Sequence, residues 1–291
     1  MSSAVRVHRL SSPLGDWELA LGEPSAVLRP YIQGMYTGST ERLPGTLTRL
    51  EVPHPGVVCI FNFGTPYRVT DPRDGRSGEW LGSFVAGLYD SYVHVDARGT
   101  SQCVQCNLTP LGALRLLGLP LEHVTNQSVP MHDVLGATGG DIAERMAATD
   151  SWERRFALLE EAWRARLSRA PGVPPLVQEA WHALARTHGN VEVARIAHAI
   201  GCSRKRLTTQ FRTHVGLPPK ALARILRFHR VIECLVASEG RRLSEIAHAC
   251  GYYDHAHLDR DFRDLAGLSP STYFAMRHPT FGAVVTASDA H

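Results

Sequence analysis

The sequence predicts an α+β protein, in which a β-rich N-terminal domain precedes an all-α C-terminal domain. Three observations support this prediction. Short apolar runs bounded by glycine, proline or aspartate recur before Pro110, as is typical of strands. Towards the C terminus one helical pattern occurs twice, which indicates a duplicated unit. Between these regions lies APGVPP, residues 170–175, whose stiff composition indicates a domain boundary.

The N-terminal runs are YIQGMYTG, GVVCIFNFG, SYVHVDARG and SQCVQCNLTP. Their close spacing favours a sandwich or a barrel-like sheet. After Pro110, LGALRLLGLP predicts a short helix. Residues 150–170 predict an amphipathic helix, whose apolar positions follow at helical spacing: Trp152, Phe156, Leu159, Trp163 and Leu167. We expect this apolar face either to pack on the sheet or to form a dimer interface.

The duplicated unit begins with IAHAIG at residues 196–201, which recurs as IAHACG at residues 246–251. In each copy a helical pattern ends at a glycine, Gly201 or Gly251, where a left-handed backbone suits that residue. A capping residue, Ser203 or Asp254, then begins a second helix. Helix, glycine turn and capped helix together predict a helix-turn-helix.

A long helical pattern, residues 218–240, connects the two units. A helix of about nineteen residues spans roughly 28 Å. Two recognition helices that enter successive major grooves need centres about 34 Å apart. The sequence therefore predicts two helix-turn-helix units held at a separation suited to duplex DNA.

The second unit carries a family resemblance. LSEIAHACGYYDHAHLDRDFRDLAGLSPSTY, residues 243–273, resembles the signature of the AraC/XylS family of bacterial transcription regulators. The first unit departs from the family pattern at Thr209, where the family often has an arginine. The resemblance implies a regulator whose partner is double-stranded DNA. It also implies three regions: an effector-binding or dimerisation domain at residues 1–172, a DNA-binding domain at residues 173–278, and a tail at residues 279–291.

The β-rich region is similar in architecture to the cupin-like N-terminal domain of many such regulators. That similarity implies a small-molecule effector, a homodimer interface, or both, with RNA polymerase as a further partner of an activator. The charge distribution agrees with DNA binding, since residues 173–278 hold 15 Lys+Arg against 9 Asp+Glu, and the rest of the chain holds 16 against 19. The basic excess lies in the segment that is expected to meet phosphates.

The outward-facing residues of the two recognition helices are the predicted DNA contacts. In the first helix they are Arg204, Lys205, Arg206, Thr208 and Thr209. In the second they are His255, Ala256, His257, Asp259 and Arg260. Arginine and lysine can donate to guanine, threonine and alanine can touch a thymine methyl, and aspartate can accept from cytosine. Asp259 either reads a base or pairs with an arginine, and each of the others could instead be a solvated residue on a helix flank.

The N-terminal domain has two candidate inputs. Aromatic residues near the strands could line an effector pocket: Phe61, Phe63, Trp80, Tyr89 and Tyr92. Aromatic residues at such positions are more often ordinary core. The alternative is a metal- or thiol-responsive sensor that uses Cys103 and Cys106, although residues three apart in a strand point to opposite faces.

Several function classes lack support in the sequence. No catalytic constellation, phosphate loop or paired-carboxylate pattern occurs, so we expect no enzyme activity, cofactor or catalytic residue. No metal site is predicted either, since the histidines and cysteines do not cluster. The chain has no apolar run of membrane length and no apolar signal core near its start, so we expect a cytoplasmic protein without a membrane partner.

Overall fold

The computed structural model describes residues 5–74, 78–237, 242–277 and 284–289. Its strands are β1 (Arg6–Ser12), β2 (Gly15–Gly22), β3 (Tyr36–Glu51), β4 (Val57–Asn62), β5 (Tyr67–Thr70), β6 (Trp80–Leu81), β7 (Phe84–Ala86), β8 (Val93–Leu108), β9 (Ser128–Pro130) and β10 (Val284–Asp289). Its helices are α1 (Pro110–Leu117), α2 (Met131–Leu135), α3 (Ala137–Ala147), α4 (Trp152–Leu167), α5 (Pro175–Arg186), α6 (Val193–Ala199), α7 (Arg204–Val215), α8 (Pro219–Ala237), α9 (Leu243–Ala249), α10 (His255–Ala266) and α11 (Pro270–Met276). A 3-10 turn covers Leu121–His123.

The strands form one antiparallel sheet around the long strand β8. Strand β3 pairs with one edge of β8, and β4 and β5 pair with the other. The path through the sheet is β1-β2-β3-β8-β4-β7-β9, with β5, β6 and β10 joined at its sides. The β-rich N-terminal domain and the helical C-terminal domain that the sequence predicts are therefore confirmed.

The sheet separates two apolar clusters. We call the smaller one the inner cluster; its buried members are Trp17, Leu43, Leu47, Ile60, Tyr67, Phe84, Ala97 and Cys103. The larger one lies on the other side of the sheet, beneath α1 to α4, and continues into the C-terminal domain. Because side chains alternate along a strand, neighbours such as Ile60 and Phe61 belong to different clusters.

The apolar face of α4 packs on the sheet of its own chain. The rings of Trp152 and Phe156 cover Gly38 and Gly22, at each of which an added Cβ would lie 2.5 Å or less from ring carbon. Trp163 is fully buried, and its ring meets Phe61 edge-on at 5.9 Å. The structure thus decides between the two expected roles of this helix, because its aromatic residues are core and unavailable to a second subunit.

The C-terminal domain contains the two predicted helix-turn-helix units, α6–α7 and α9–α10. The side chain of Ser203 accepts a hydrogen bond from the Arg206 amide, and that of Asp254 accepts one from the His257 amide. The turn glycines, Gly201 and Gly251, have φ values of 71° and 80°, which glycine adopts without a steric penalty. Helix α8 has nineteen residues, as expected for the connecting helix.

The end of the chain returns to the N-terminal sheet. Strand β10 pairs with β3 in antiparallel register, from Val284 opposite Leu50 to Asp289 opposite Thr46. Part of the segment that the sequence suggests is a tail is therefore a strand, and it links the two domains through backbone hydrogen bonds. Among the described residues, no helix is both long enough and apolar enough to cross a membrane.

Replacing Trp163 by glutamate should destabilise the protein by about 3–5 kcal/mol, since the change removes a buried ring and places a carboxylate without a partner in the core. Urea denaturation followed by circular dichroism measures this loss. The matched control is Arg164→Glu, at an exposed position of the same helix, which should cost less than about 0.5 kcal/mol. Equal stability of the two variants would contradict the placement of α4.

Candidate nucleic-acid interface and interior cavity

Helix α7 presents its predicted contact residues on one accessible surface. Leu207 and Phe211 are fully buried and anchor the opposite side of the helix. The exposed residues are Arg204, Lys205, Arg206 and Thr209, and Thr208 is half-buried. Arg204, Lys205 and Arg206 in the first turn are thus exposed to solvent, at the N-terminal end of the helix that Ser203 caps. This surface can donate hydrogen bonds both to phosphates and to guanine edges.

Helix α10 presents a more mixed surface. His255, Ala256 and Arg260 are exposed, whereas His257 and Asp259 are half-buried. Asp259 forms an ion pair of 2.8 Å with Arg263, one turn further along. Of the two roles expected for Asp259, base reading and pairing with an arginine, the ion pair corresponds to the second. It also reduces the repulsion between this carboxylate and DNA phosphates.

The ring of His257 meets Tyr252 edge-on at 5.1 Å, so this histidine also supports the turn. The neighbouring Tyr253 has 90 % of its surface exposed, directly before the cap of α10. Tyrosine hydroxyls commonly bind the DNA backbone, and Tyr253 is a candidate contact that reasoning from helix faces alone missed because it lies in the turn.

The two units are held together by arginines of α8. The Arg224 guanidinium binds Asp261 at 2.7 Å and Asp264 at 2.6 Å, both on α10. Asp261 is buried, so it belongs to this contact and not to the DNA-facing surface. Arg227 donates to the Gly189 carbonyl at 3.0 Å, before the first unit, and lies over Tyr252 of the second.

A close approach of the backbone completes the arrangement. A Cβ on Gly251, in the second turn, would lie 2.6 Å from the side chain of Asn190, which precedes the first unit. Glycine at this position therefore serves both the left-handed turn and the contact between the units.

The inner side of the sheet encloses a cavity of about 420 Å³. Its apolar wall comes from strands of the N-terminal domain: Val58, Ile60, Tyr67, Phe84, Ala86 and Val95. The remaining side is closed by the C-terminal domain, through His229 and Ile232 of α8 and through Tyr273 and Arg277 at α11. The cavity is thus shared between the two domains.

The polar lining of the cavity includes an ion pair and two imidazoles. Arg49 donates two hydrogen bonds to the Glu41 carboxylate, at 2.6 and 3.1 Å, and both side chains are buried. Burial, and then the neighbouring His229, lower the pKa of His54 to about 3, so that His54 is neutral at physiological pH. Nε2 of His229 donates to the Pro53 carbonyl at 2.5 Å, and the His54 and His229 rings are 5.4 Å apart.

The comparisons with known proteins agree with this architecture. Residues 177–276 match the family model of a helix-turn-helix domain, and residues 22–130 match a domain of unknown function, DUF6597. The helix-turn-helix match covers both units and the signature at residues 243–273. This match identifies a helix-turn-helix domain of the AraC type, and it supports the resemblance to the AraC/XylS family of transcription regulators. The protein is a DNA-binding regulator.

The solved structures to which this chain shows some similarity include regulators. ToxT from Vibrio cholerae is 11 % identical over 82 % of this chain and 98 % of its own, with a TM-score of 0.49. The C-terminal domain of AraT, a response regulator from Geobacillus stearothermophilus, is 20 % identical over 38 % of this chain and 93 % of its own, with a TM-score of 0.35. The AraC-like activator CuxR is 14 % identical over 79 % and 85 %, with a TM-score of 0.35. No curated protein sequence matches the regulator.

The aromatic residues of the sequence-predicted pocket lie in different places. Only Tyr89 among the five lines the cavity. Phe61 packs on Trp163 behind the sheet, and Phe63 lies under the Arg155 guanidinium at 4.6 Å. The other two have separate partners: Trp80 is flanked by Arg68 and Arg98, and Tyr92 packs against Gly267. The other residues that line the cavity lie among ordinary apolar residues of the strands, so no motif or spacing in the sequence distinguished them.

The thiols of Cys103 and Cys106 lie on opposite faces of β8. Cys103 belongs to the inner cluster and lies 3.2 Å from the Ser39 hydroxyl, whereas Cys106 belongs to the larger cluster behind the sheet. The two sulfurs therefore cannot share a metal ion or form a bond with each other. No group of three or more metal-ligating side chains occurs among the described residues.

Lys205→Ala and Arg260→Ala should relax base preference at two half-sites about one helical turn apart, each at a cost of about 1–3 kcal/mol, since each removes a contact from a different recognition helix. Footprinting with base-substituted duplexes checks this. Arg154→Ala, on the exposed face of α4, is the control and should bind like the parent. Loss of both preferences at one base pair would mean that the units do not dock in successive grooves.

Stability should decrease as the pH falls below about 6.5, because the unfolded chain then binds protons that buried, neutral His54 excludes. The loss should build up between about pH 6.5 and pH 3, and His54→Gln should reduce it. Urea denaturation at a series of pH values measures the effect. His198→Gln, at an exposed position, is the control, and a His54 variant with unchanged pH dependence would contradict the assignment.

Proposed function

We propose that a small molecule bound in the cavity controls DNA binding by this regulator. The observation that carries the proposal is that the cavity wall is shared, with strands on one side and α8 and α11 on the other. Any occupant touches the DNA-binding domain directly. A ligand shifts an equilibrium only through different affinities for the two states, and contacts in both domains provide that difference.

The lining indicates the chemistry of the effector. Most of the wall is aliphatic or aromatic, which favours an apolar body. The buried Arg49–Glu41 pair and the neutral His54 also line the cavity and can orient a hydroxyl, carbonyl or similar group. A cavity of about 420 Å³ falls in the size range of small-molecule sites. We therefore propose a mainly apolar effector that carries a polar group.

The route from effector to DNA runs through α8. Ile232 and His229 of this helix face the cavity, and Arg224 of the same helix holds the second recognition helix. A rigid helix that contacts both sites transmits a small displacement without unfolding. This route supports a direct effect, in addition to any effect through the linker at residues 170–175.

Homodimerisation, contact with RNA polymerase as an activator, and a cytoplasmic location stay predictions. The aromatic residues of α4 are buried within one chain, so a dimer needs another surface. Among the described strands, β1 pairs only with β2 and leaves one edge open, and pairing of open edges is a common mode of association.

Filling the cavity should abolish the response to the effector. Ala86→Phe adds a ring at a cavity-lining position, so a compound found by a thermal-shift screen should no longer raise the melting temperature or change DNA affinity, whereas effector-free DNA binding should persist. Cys106→Ser, behind the sheet, is the control and should respond normally. If Ala86→Phe still responds, the effector binds elsewhere; if Cys106→Ser alone loses its response, a thiol sensor replaces this proposal.

A further inference from the structure

Two cysteines of the DNA-binding domain meet in space. Sγ of Cys234 and Sγ of Cys250 are 3.9 Å apart, although the residues are 16 positions apart in the chain. Cys234 lies in the last turn of α8, and Cys250 directly follows α9. Both are free thiols. A disulfide has a sulfur–sulfur distance of about 2.05 Å, so a local shift of about 2 Å would allow the bond to form.

This pair differs from the other cysteines in access. Cys59 and Cys106 are opposite each other on β4 and β8, but both are fully buried, so an oxidant cannot reach them. Cys202 is half-buried, and no hydrogen bond in the described structure joins it to another thiol. Cys234 is half-buried and has a second thiol beside it.

The surroundings of Cys234 and Cys250 suggest different roles for the two thiols in an exchange reaction. Arg230, which binds Glu233 at 3.1 Å, lies near both sulfurs and lowers the pKa of Cys250. Burial, however, raises the pKa of Cys250 to about 12, and the neighbouring Cys234 adds to this. Cys234 is therefore the thiol that meets an incoming reagent, and Cys250 is the resolving thiol.

We propose that Cys234 and Cys250 form a reversible disulfide when the regulator meets a small-molecule disulfide. The Cys234 thiolate attacks one sulfur of the reagent, a mixed disulfide forms, and the first thiolate of the reagent leaves. Cys250 then gives up its proton and attacks Cys234 Sγ, and the second thiolate leaves. Two protein thiols are oxidised to one disulfide, and one small disulfide is reduced to two thiols.

The new bond would displace the turn of the second unit. Gly251 follows Cys250, and a Cβ added to it would lie 2.6 Å from the Asn190 side chain, so a movement of this turn changes its contact with the segment before the first unit. Helix α10 begins four residues later, at His255. Its contact residues would then move relative to those of α7, and the protein would lose the fit to two successive grooves.

Oxidised glutathione, followed by alkylation under denaturing conditions and intact mass measurement, tests the bond. The parent has six cysteines and should take up only four alkyl groups after oxidation. Cys234→Ser should keep all five of its thiols. Cys250→Ser should instead trap glutathione on Cys234, as a mixed disulfide that cannot resolve. Cys202→Ser is the matched control and should lose two thiols as the parent does.

DNA affinity gives the functional readout. The oxidised full-length regulator should bind its preferred duplex at least tenfold more weakly than the reduced form, dithiothreitol should restore binding, and Cys234→Ser should be insensitive to oxidation. Six alkylated thiols in the treated parent, or a loss of two thiols in Cys234→Ser, would overturn the proposed bond. A disulfide that leaves affinity unchanged would overturn its proposed effect on DNA binding.

Discussion

The packing of α8 is the constraint on which the rest of the molecule depends. Its apolar side is buried in the core of the C-terminal domain through Leu222, Ile225 and Phe228. Its polar residues then have fixed positions, and Arg224 reaches the two carboxylates of α10. The same helix turns His229 towards the N-terminal domain. One helix thus sets the distance between the recognition helices and also closes the cavity.

The contacts between the two domains explain how a ligand in the cavity could affect the distant DNA-binding surface. The hydrogen bond from His229 to the Pro53 carbonyl and the pairing of β10 with β3 join the domains at two separate places. Buried polar contacts of this kind are costly to leave unsatisfied, so these contacts hold the domains together in addition to the linker. An occupant of the cavity then acts on an interface that already exists.

The charged residues of the two recognition helices fall into two groups, those that form ion pairs within the domain and those that are exposed. Asp259, Asp261 and Asp264 are each paired with an arginine, so the carboxylates of α10 face their own cations. Arg204 and Lys205 have no such carboxylate partner among the described ion pairs and are exposed. The start of α7 therefore offers positive charge for phosphates, as does the exposed Arg260 of α10.

The sequence by itself determined the helix-turn-helix units, their capping residues and the connecting helix, because caps, glycine turns and helical spacing act over a few residues. It also determined that Cys103 and Cys106 diverge, since side chains alternate in any strand. Only the tertiary structure decided that α4 is core, that Tyr89 reaches the cavity while Phe61 does not, and that Cys234 meets Cys250. Those outcomes depend on how the sheet curves and how α8 and α9 cross, and these are set by packing between residues that are far apart in the chain.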